Sequence, residues 1–188
     1  MRTSELPPQE GSHVKMSGRP SIGRWTLGWL LVFPVVFIGL IPWRLRVRFE
    51  GALAWQGTPW QWIGLWCMLN GLGLVAWCVT LFISEGQGTP LPTHPPQRFV
   101  VTGPYQFVRN PMALGFFLML AGESAVYQSK VVVGYLIFIM TVINLFVRVV
   151  EEPDLERRFG SCYVAYKRQV ARWVPRLPSG VSTKPHQP

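Results

Sequence analysis

The chain has 188 residues, a formal net charge of +9 and a hydrophobic fraction of 49%. An apolar and strongly basic chain is typical of a membrane protein whose basic residues face the cytoplasm, and it is unusual for a soluble domain. The sequence has no basic recognition helix and no zinc-finger spacing, so we expect no nucleic-acid partner. Its 3 cysteines and 3 histidines lack the spacing of metal ligands, so we expect no metal site.

The first half of the chain contains two uncharged segments. Residues 1–24 are polar, with Pro, Gly and Ser throughout, which predicts a flexible N-terminal tail. Residues 25–43 carry no charge and are long enough to span a bilayer, and Pro34 should kink this helix. Residues 60–82 form the second predicted span, in which Gly64, Gly71 and Gly73 would let another helix approach closely.

The second half of the chain begins with a loop that leads into a helical hairpin. Turn-forming residues between Gly86 and Pro96 exclude regular helix there, because proline removes a backbone donor and restricts its predecessor. Pro111 suits the first turn of a helix, so the third span is predicted at 111–127 and the fourth at 131–147. A turn at residues 128–130 should join these two helices.

The C-terminal part of the chain is amphipathic. Apolar side chains recur every three or four residues with basic residues between them, which predicts a cytoplasmic tail helix at 153–170 lying on the membrane surface. Residues 177–188 should be a disordered tail, which leaves a membrane domain at 25–176.

These elements together predict the fold class. We expect an all-α, polytopic membrane protein with about four transmembrane helices and a C-terminal amphipathic tail that caps the cytoplasmic side. Positive-inside bias then places both termini in the cytoplasm. Arg44, Arg46 and Arg48 do not fit this topology, because it puts their loop outside, and only snorkelling at the helix end accounts for them.

The first polar motif is Arg109-Asn110-Pro111, at the head of the third predicted span. A helix N-terminus presents free N–H groups and the positive end of the helix dipole, so it binds anions such as carboxylates. Arg109 would add a fixed charge, and Asn110 could hydrogen-bond a ligand. The alternative is that Asn110 only caps the helix and Arg109 only anchors it to lipid headgroups.

The second polar motif is the pair Glu151 and Glu152, which ends the fourth predicted span. Arg148 and Glu152 are four residues apart and could form an ordinary helical ion pair, but that pair would not account for Glu151. Two adjacent carboxylates at the membrane face could instead hydrogen-bond ribose hydroxyls or offset the charge of a cationic ligand.

Three further polar residues lie inside the predicted spans. Glu123 would lie about 18 Å along its helix from Pro111, nearer the far leaflet, where a structural role is favoured over catalysis. Asn70 and Asn144 fall in mid-span, and both are interpreted as groups that hydrogen-bond between helices.

In combination, the motifs on either side of the hairpin resemble those of a known family. The matching residues are Gly103-Pro104-Tyr105, Arg109-Asn110-Pro111, Gly115, Glu151-Glu152-Pro153, Leu155, Phe159-Gly160, Tyr163, Tyr166 and Val174-Pro175-Arg176. In this order and spacing they resemble the isoprenylcysteine carboxyl methyltransferase and phospholipid methyltransferase family. The resemblance covers roughly residues 82–176.

The resemblance implies a membrane-embedded enzyme that uses S-adenosylmethionine and has no Rossmann domain. The residues that it places around the cofactor are Tyr105, Val108, Arg109, Asn110, Pro111, Gly115, Glu151 and Glu152. It gives the catalytic roles to Arg148 and Arg109, near the reacting groups. The chain departs from the family in having Asn110 where His is common and Ala113 where Tyr is frequent. Asn110 can still hydrogen-bond a ligand, whereas Ala113 removes an aromatic ring from the implied pocket.

The implied chemistry favours one class of acceptor. Attack on an activated sulfonium needs positioning and exclusion of water more than acid–base help. Arg148 or Arg109 could orient a carboxylate acceptor that has no proton to lose, whereas an amine would need a base. We therefore expect methylation of a lipophilic acceptor, a small molecule or a lipidated substrate, that reaches the site from among the membrane lipids. Carboxyl O-methylation of the isoprenylcysteine type is preferred, and phospholipid N-methylation is the alternative.

Two other functions remain as rivals. Membrane reductases of the sterol-reductase type use a nicotinamide cofactor and also place a basic-Pro turn before a hairpin and a Tyr-rich tail after it. The pair Glu151-Glu152 followed by Phe159-Gly160 argues against membership of this reductase class. The second rival is a non-catalytic membrane scaffold that has kept the same architecture.

Overall fold

A computed structural model describes residues 32, 34–51, 55–86 and 99–175 of the chain, and all regular secondary structure in these ranges is helical. The all-α prediction is therefore confirmed. The helices are α1 (Ile41–Glu50), α2 (Pro59–Ser84), α3 (Pro111–Tyr127), α4 (Lys130–Phe146) and α5 (Glu152–Gln169). A π-helical segment, Val35–Leu40, leads into α1, a 3₁₀ turn, Gly103–Gln106, precedes α3, and a second π-helical segment, Val147–Glu151, joins α4 to α5.

Two helices are long and apolar enough to cross a membrane. They are α2 and the continuous helix Lys130–Gln169, of which α4 is the apolar part, while the apolar helix α3 is shorter at 17 residues. The prediction of four spans and of cytoplasmic termini therefore stays a prediction. The predicted tails at 1–24 and 177–188 lie outside the described residues, as do most of the first half of the span at 25–43 and most of the loop between Gly86 and Pro96.

The first and last helices differ from their predicted forms. The helix that follows Pro34 begins with π geometry and ends at Glu50, well beyond the predicted end at Trp43. In α5, Gly160 has φ 54° and ψ −130°, so it breaks the helix that was predicted to run without interruption. A positive φ is available to glycine at little steric cost, which explains why this residue type stands at the break.

The largest helix–helix interface joins α2 to α3 and is built on facing glycines. Gly64 faces Gly122 and Gly71 faces Gly115, so the antiparallel helices meet backbone to backbone. A Cβ atom placed on Gly71 would lie 2.6 Å from the carbonyl oxygen of Gly115, which leaves no room for a side chain. Close approach was correctly predicted for Gly64 and Gly71 and was wrong for Gly73, which faces open space.

Local sequence signals set the ends of the central helices. Thr58 and Gln61 form a capping box at the start of α2, where Pro59 occupies the first turn. Gln128 adopts the left-handed conformation that ends α3, and the Ser129 hydroxyl accepts a hydrogen bond from the N–H of Val132 at the start of α4. The predicted turn at residues 128–130 is confirmed, and it aligns α3 antiparallel to α4.

The arginines that did not fit the sequence-based topology are accounted for by local contacts. The buried Arg46 donates from Nη1 to the carbonyl of Gly51 at 3.0 Å and lies over the ring of Tyr127 at 5.5 Å. Arg44 and Arg48 are exposed, and each lies over the aromatic ring of its chain neighbour. The loop after α1 is thus tied to the end of α3.

Glu123 lies in the same part of the fold, at the end of α3 remote from Pro111. Its side chain is 3% exposed and lies beside the hydroxyl of Tyr127. These contacts agree with the structural role predicted for Glu123. Asn70, by contrast, donates to the carbonyl of Trp66 on its own helix at 2.7 Å, so the prediction that it bonds to another helix was wrong.

Candidate functional site

Four parts of the chain converge at the N-terminal end of α3. They are the turn before α3, the end of the α4 helix, α5, and the segment that follows α5, Ala171 to Trp173. The backbone N–H of Arg109 donates to the carbonyl of Ala171 at 2.9 Å, and the Tyr166 hydroxyl donates to the carbonyl of Tyr105 at 2.6 Å. These bonds hold the C-terminal part of the chain against the loop that opens α3.

Glu152 is the centre of a buried group of charges. Arg172 donates from Nε to Oε1 at 2.7 Å and from Nη2 to Oε2 at 2.9 Å, which is a two-bond fork. Arg109 approaches Oε1 at 3.0 Å and Lys167 approaches Oε2 at 3.3 Å, while Lys167 also bonds to Glu156 at 2.7 Å. The side chain of Glu152 is only 5% exposed, so its pairs with Arg109 and Arg172 are largely shielded from solvent and salt, whereas Lys167 and Glu156 are partly exposed.

The cations decide the protonation state of Glu152. Burial alone would raise the pKa of this carboxyl, but the bonds from Arg172 and the charges of Arg109 and Lys167 outweigh burial and hold its pKa below the ordinary value. Glu152 is therefore a carboxylate across the physiological pH range.

Arg109 is held inside the site rather than at the lipid headgroups. Its side chain is 10% exposed, and its guanidinium lies between Glu152 and the hydroxyl of Tyr163. The alternative that Arg109 only anchors the helix to headgroups is therefore wrong. An arginine fixed in this way contributes a permanent positive charge beside the N-terminus of α3.

Glu151 has a different environment from its neighbour in sequence. Its half-buried carboxyl forms no hydrogen bond and no ion pair with any residue in the described ranges. Burial raises the pKa of Glu151, and the adjacent charge of Glu152 raises it further. A partly desolvated carboxylate without a cation is what a positively charged ligand would complement.

Asn110 also has an unused side chain. It occupies the position before the first turn of α3, yet its amide makes no capping hydrogen bond, so the alternative that Asn110 only caps the helix is wrong. The side chain makes no hydrogen bond with any other part of the chain that the structure describes. The amide remains available beside the free N–H groups of the first turn of α3.

The other predicted site residues are distributed unevenly. Tyr105, Val108 and Pro111 are buried beside the site, where Tyr105 packs against Phe82 with ring centroids 5.5 Å apart. Gly115 lies on the face of α3 that contacts Gly71 of α2, away from the charged group. Arg148 is exposed in the π-helical segment after α4, and it is not among the cations that bind Glu152, so the alternative of a helical Arg148–Glu152 ion pair is wrong.

Three residues that the sequence motifs did not single out lie at the site. Arg172 and Lys167 bind Glu152, and Trp173 donates from Nε1 to Oδ1 of Asn144 at 3.0 Å. Asn144 thus bonds to the segment after α5, and the prediction that it bonds to another transmembrane helix was wrong. The sequence does show several basic residues after the two glutamates. Because these basic residues lie many positions away along the chain, the sequence did not reveal which of them would pair with Glu152.

Aromatic side chains cover one side of this group. The ring of Phe99 contacts those of Phe159, Tyr163 and Tyr166, with centroids 5.1, 5.7 and 5.1 Å apart. The cluster joins the loop before α3 to both halves of α5, on either side of the break at Gly160. It places apolar surface next to the charged residues, which limits the access of water.

The family model of the phospholipid methyltransferases matches residues 59–162, which is more than half of the chain. The chain belongs to the phospholipid methyltransferase family. The match includes α2, α3, α4 and the first part of α5, and it therefore contains Arg109, Asn110, Glu151 and Glu152. No curated protein and no solved structure matches the chain.

Membership of this family, together with the two apolar helices, makes the chain a membrane-associated member of a methyltransferase family. The residues that the structure describes contain no group of three or more His, Cys, Asp or Glu side chains that could hold a metal ion. Lys167 and Arg172 lie beyond residue 162, where the family match ends.

Proposed function

We propose that this phospholipid methyltransferase family member transfers a methyl group from S-adenosylmethionine to a lipophilic acceptor that resides in the membrane. The observation that carries the proposal is that two polar side chains, those of Glu151 and Asn110, have no hydrogen-bond partner among the described residues. Glu151 lies close enough to Tyr105 and Tyr163 to act on them electrostatically, and Asn110 follows Arg109 at the start of α3. Family membership supplies the reaction class.

The described residues fit the charges of this cofactor. When bound, S-adenosylmethionine supplies a methyl group that is activated by a sulfonium cation. Glu151 would complement the positive charges of the cofactor, and the free N–H groups of α3 with Arg109 would hold its carboxylate. Asn110 would hydrogen-bond a polar group, while Tyr105, Val108 and Pro111 supply buried apolar surface.

The catalytic work assigned to this chain is positioning and exclusion of water. The Phe99 cluster shields the site, and the Glu152 ion pairs fix Arg109 in one orientation. The exposed Arg148, at the end of the apolar helix, would bind an anionic group on the acceptor and orient it toward the cofactor. This role for Arg148 favours a carboxylate acceptor of the isoprenylcysteine type.

One observation favours phospholipid N-methylation as the second candidate. An amine nucleophile must lose a proton, and Glu151 is a carboxyl whose raised pKa suits it to accept one. Membership of a methyltransferase family counts against the nicotinamide-dependent reductase. A non-catalytic scaffold would bind no cofactor at this site.

A direct test uses the full-length protein in nanodiscs made with native lipids. We expect radiolabelled S-adenosylmethionine to bind and NADPH not to bind. We also expect label to enter the lipid fraction, where mass spectrometry would locate the added methyl group on a carboxyl or an amine. Binding of NADPH without S-adenosylmethionine would contradict the proposal, and so would the absence of binding by either compound.

A further inference from the structure

We infer that Arg172 is a positioning residue that commits Glu152 to a structural role and leaves Glu151 as the carboxylate that binds the cofactor. This inference rests on the proposed function. It assigns different roles to two adjacent glutamates that the sequence alone does not distinguish. It also assigns a role to a residue that lies beyond the segment matched by the family model.

Both oxygens of Glu152 already face cations. A carboxylate has about four lone-pair sites. Oε1 receives Arg172 Nε and lies 3.0 Å from Arg109, while Oε2 receives Arg172 Nη2 and lies 3.3 Å from Lys167. Each oxygen thus has one hydrogen bond from Arg172 and a second cation within ion-pair distance, so a ribose hydroxyl or a ligand cation would have to compete with these partners.

Arg172 is also the middle residue of a short strap formed by Ala171, Arg172 and Trp173. The carbonyl of Ala171 accepts the N–H of Arg109 at 2.9 Å, and the Trp173 indole donates to Asn144 at 3.0 Å. The Trp173 ring also packs on Phe117 of α3, with centroids 5.5 Å apart. The strap therefore joins the loop before α3, the side chains of α3 and α4, and Glu152.

The strap explains how Arg172 acts on a ligand that it does not itself contact. The fork from Arg172 fixes both oxygens of Glu152, and Glu152 in turn fixes Arg109. Ala171 binds the backbone of the same Arg109, one residue before Asn110. Loss of Arg172 would release Glu152 to compete with Glu151 for the positive charge of the ligand, and would loosen the backbone that carries Asn110.

The fork also predicts how a conservative substitution behaves. A guanidinium is planar and offers two parallel N–H bonds, whereas the ammonium of lysine is a single point charge. Arg172→Lys should therefore keep the charge that neutralises Glu152 and lose the fixed geometry. Arg168 provides a matched control, because it lies on the same part of the chain and is exposed.

The experiment measures the binding of S-adenosylhomocysteine and the hydrogen exchange of the unliganded protein in nanodiscs. We expect Arg172→Gln to weaken binding at least 10-fold, Arg172→Lys to restore part of the loss, and Arg168→Gln to bind like the wild type. We also expect Arg172→Gln to speed the exchange of the Arg109 amide. Glu152→Gln combined with Arg172→Gln should cost less than the sum of the two single changes, because each change breaks the same fork.

Each other outcome has a distinct meaning. If Arg172→Gln lowers the unfolding temperature and speeds exchange while the affinity stays unchanged, Arg172 is only structural and the inference is wrong. Unchanged hydrogen exchange of the Arg109 amide in Arg172→Gln also overturns the inference. So does a double variant in which the effects of Glu152→Gln and Arg172→Gln on binding simply add. If Arg172→Gln does not fold, the test uses Arg172→Lys instead. An Arg172→Lys variant that binds S-adenosylhomocysteine as tightly as the wild type would overturn the inference. If the wild-type protein does not bind S-adenosylhomocysteine, the proposed function fails. The exchange measurement then still tests whether Arg172 holds the backbone at Arg109.

Discussion

Glu151→Gln should weaken S-adenosylmethionine binding by roughly 30-fold or more, which corresponds to about 2 kcal/mol for a desolvated charge contact. The same change should leave the unfolding temperature unchanged or raise it. Folding places Glu151 in a partly buried position next to the charge of Glu152 without giving it a cation, so neutral glutamine relieves a repulsion. Binding isotherms and thermal unfolding in nanodiscs would measure the two effects.

The pH dependence of this variant has a defined sign. Because folding raises the pKa of Glu151, the penalty of its charge grows as the pH rises through that pKa and disappears in acid. The stability gained in Glu151→Gln should follow the same trend. In the wild type, affinity for the cofactor should fall on acidification, as the carboxylate is protonated.

Asp154→Asn is the matched control for Glu151→Gln. Asp154 is an exposed carboxylate three residues further on, and within the part of the chain that the structure describes its ion pair is with Arg158, at 3.6 Å. Its replacement should change affinity little, because exposed ion pairs contribute little. A large drop in stability in Glu151→Gln with unchanged affinity would contradict the assignment of Glu151 to the cofactor.

Gly71→Ala should be strongly destabilising, with a cost of about 1–3 kcal/mol from overpacking alone. The new Cβ would lie 2.6 Å from the Gly115 carbonyl oxygen and 2.9 Å from the Met119 nitrogen, and both are backbone atoms that cannot rotate away. The helices α2 and α3 would have to separate. Because α3 begins at Pro111, beside the site, cofactor affinity should fall along with stability. Thermal unfolding and cofactor binding would be measured together.

The same helix supplies the control for Gly71. A Cβ placed on Gly73 would meet nothing within 4 Å, and alanine is a better helix former than glycine. Gly73→Ala should therefore be neutral or slightly stabilising. Equal losses of stability in the two variants would show that helix propensity, rather than the α2–α3 contact, decides the effect.

The helices were predictable because their signals are local. Pro111 begins α3 and residues 128–130 form the turn to α4, as covalent geometry and capping preferences require. The sequence predicted that glycines of α2 would allow a close helix contact, but it did not show which of them face the partner helix, because spacing within one helix does not reveal which face is covered. Gly71 and Gly73 differ only in that respect.

The arrangement of the site depends on contacts that spacing within one helix cannot show. The sequence offered Arg148 to Glu152 at a separation of four, but Glu152 is buried and bonds to Arg172, which is 20 residues away. A buried fork with two short bonds outweighs an exposed helical pair. One glutamate, Glu151, is unpaired among the described residues and the other, Glu152, faces three cations, and this division follows from how the chain returns after α5.

The most direct test of the account is an experimental structure of the full-length protein in nanodiscs with S-adenosylhomocysteine bound. We predict that the ligand lies at the N-terminal end of α3, in contact with the Glu151 carboxylate and the Asn110 amide, while Glu152 keeps its fork with Arg172. A ligand bound elsewhere in the protein, or one bound by Glu152 after release from Arg172, would contradict the account.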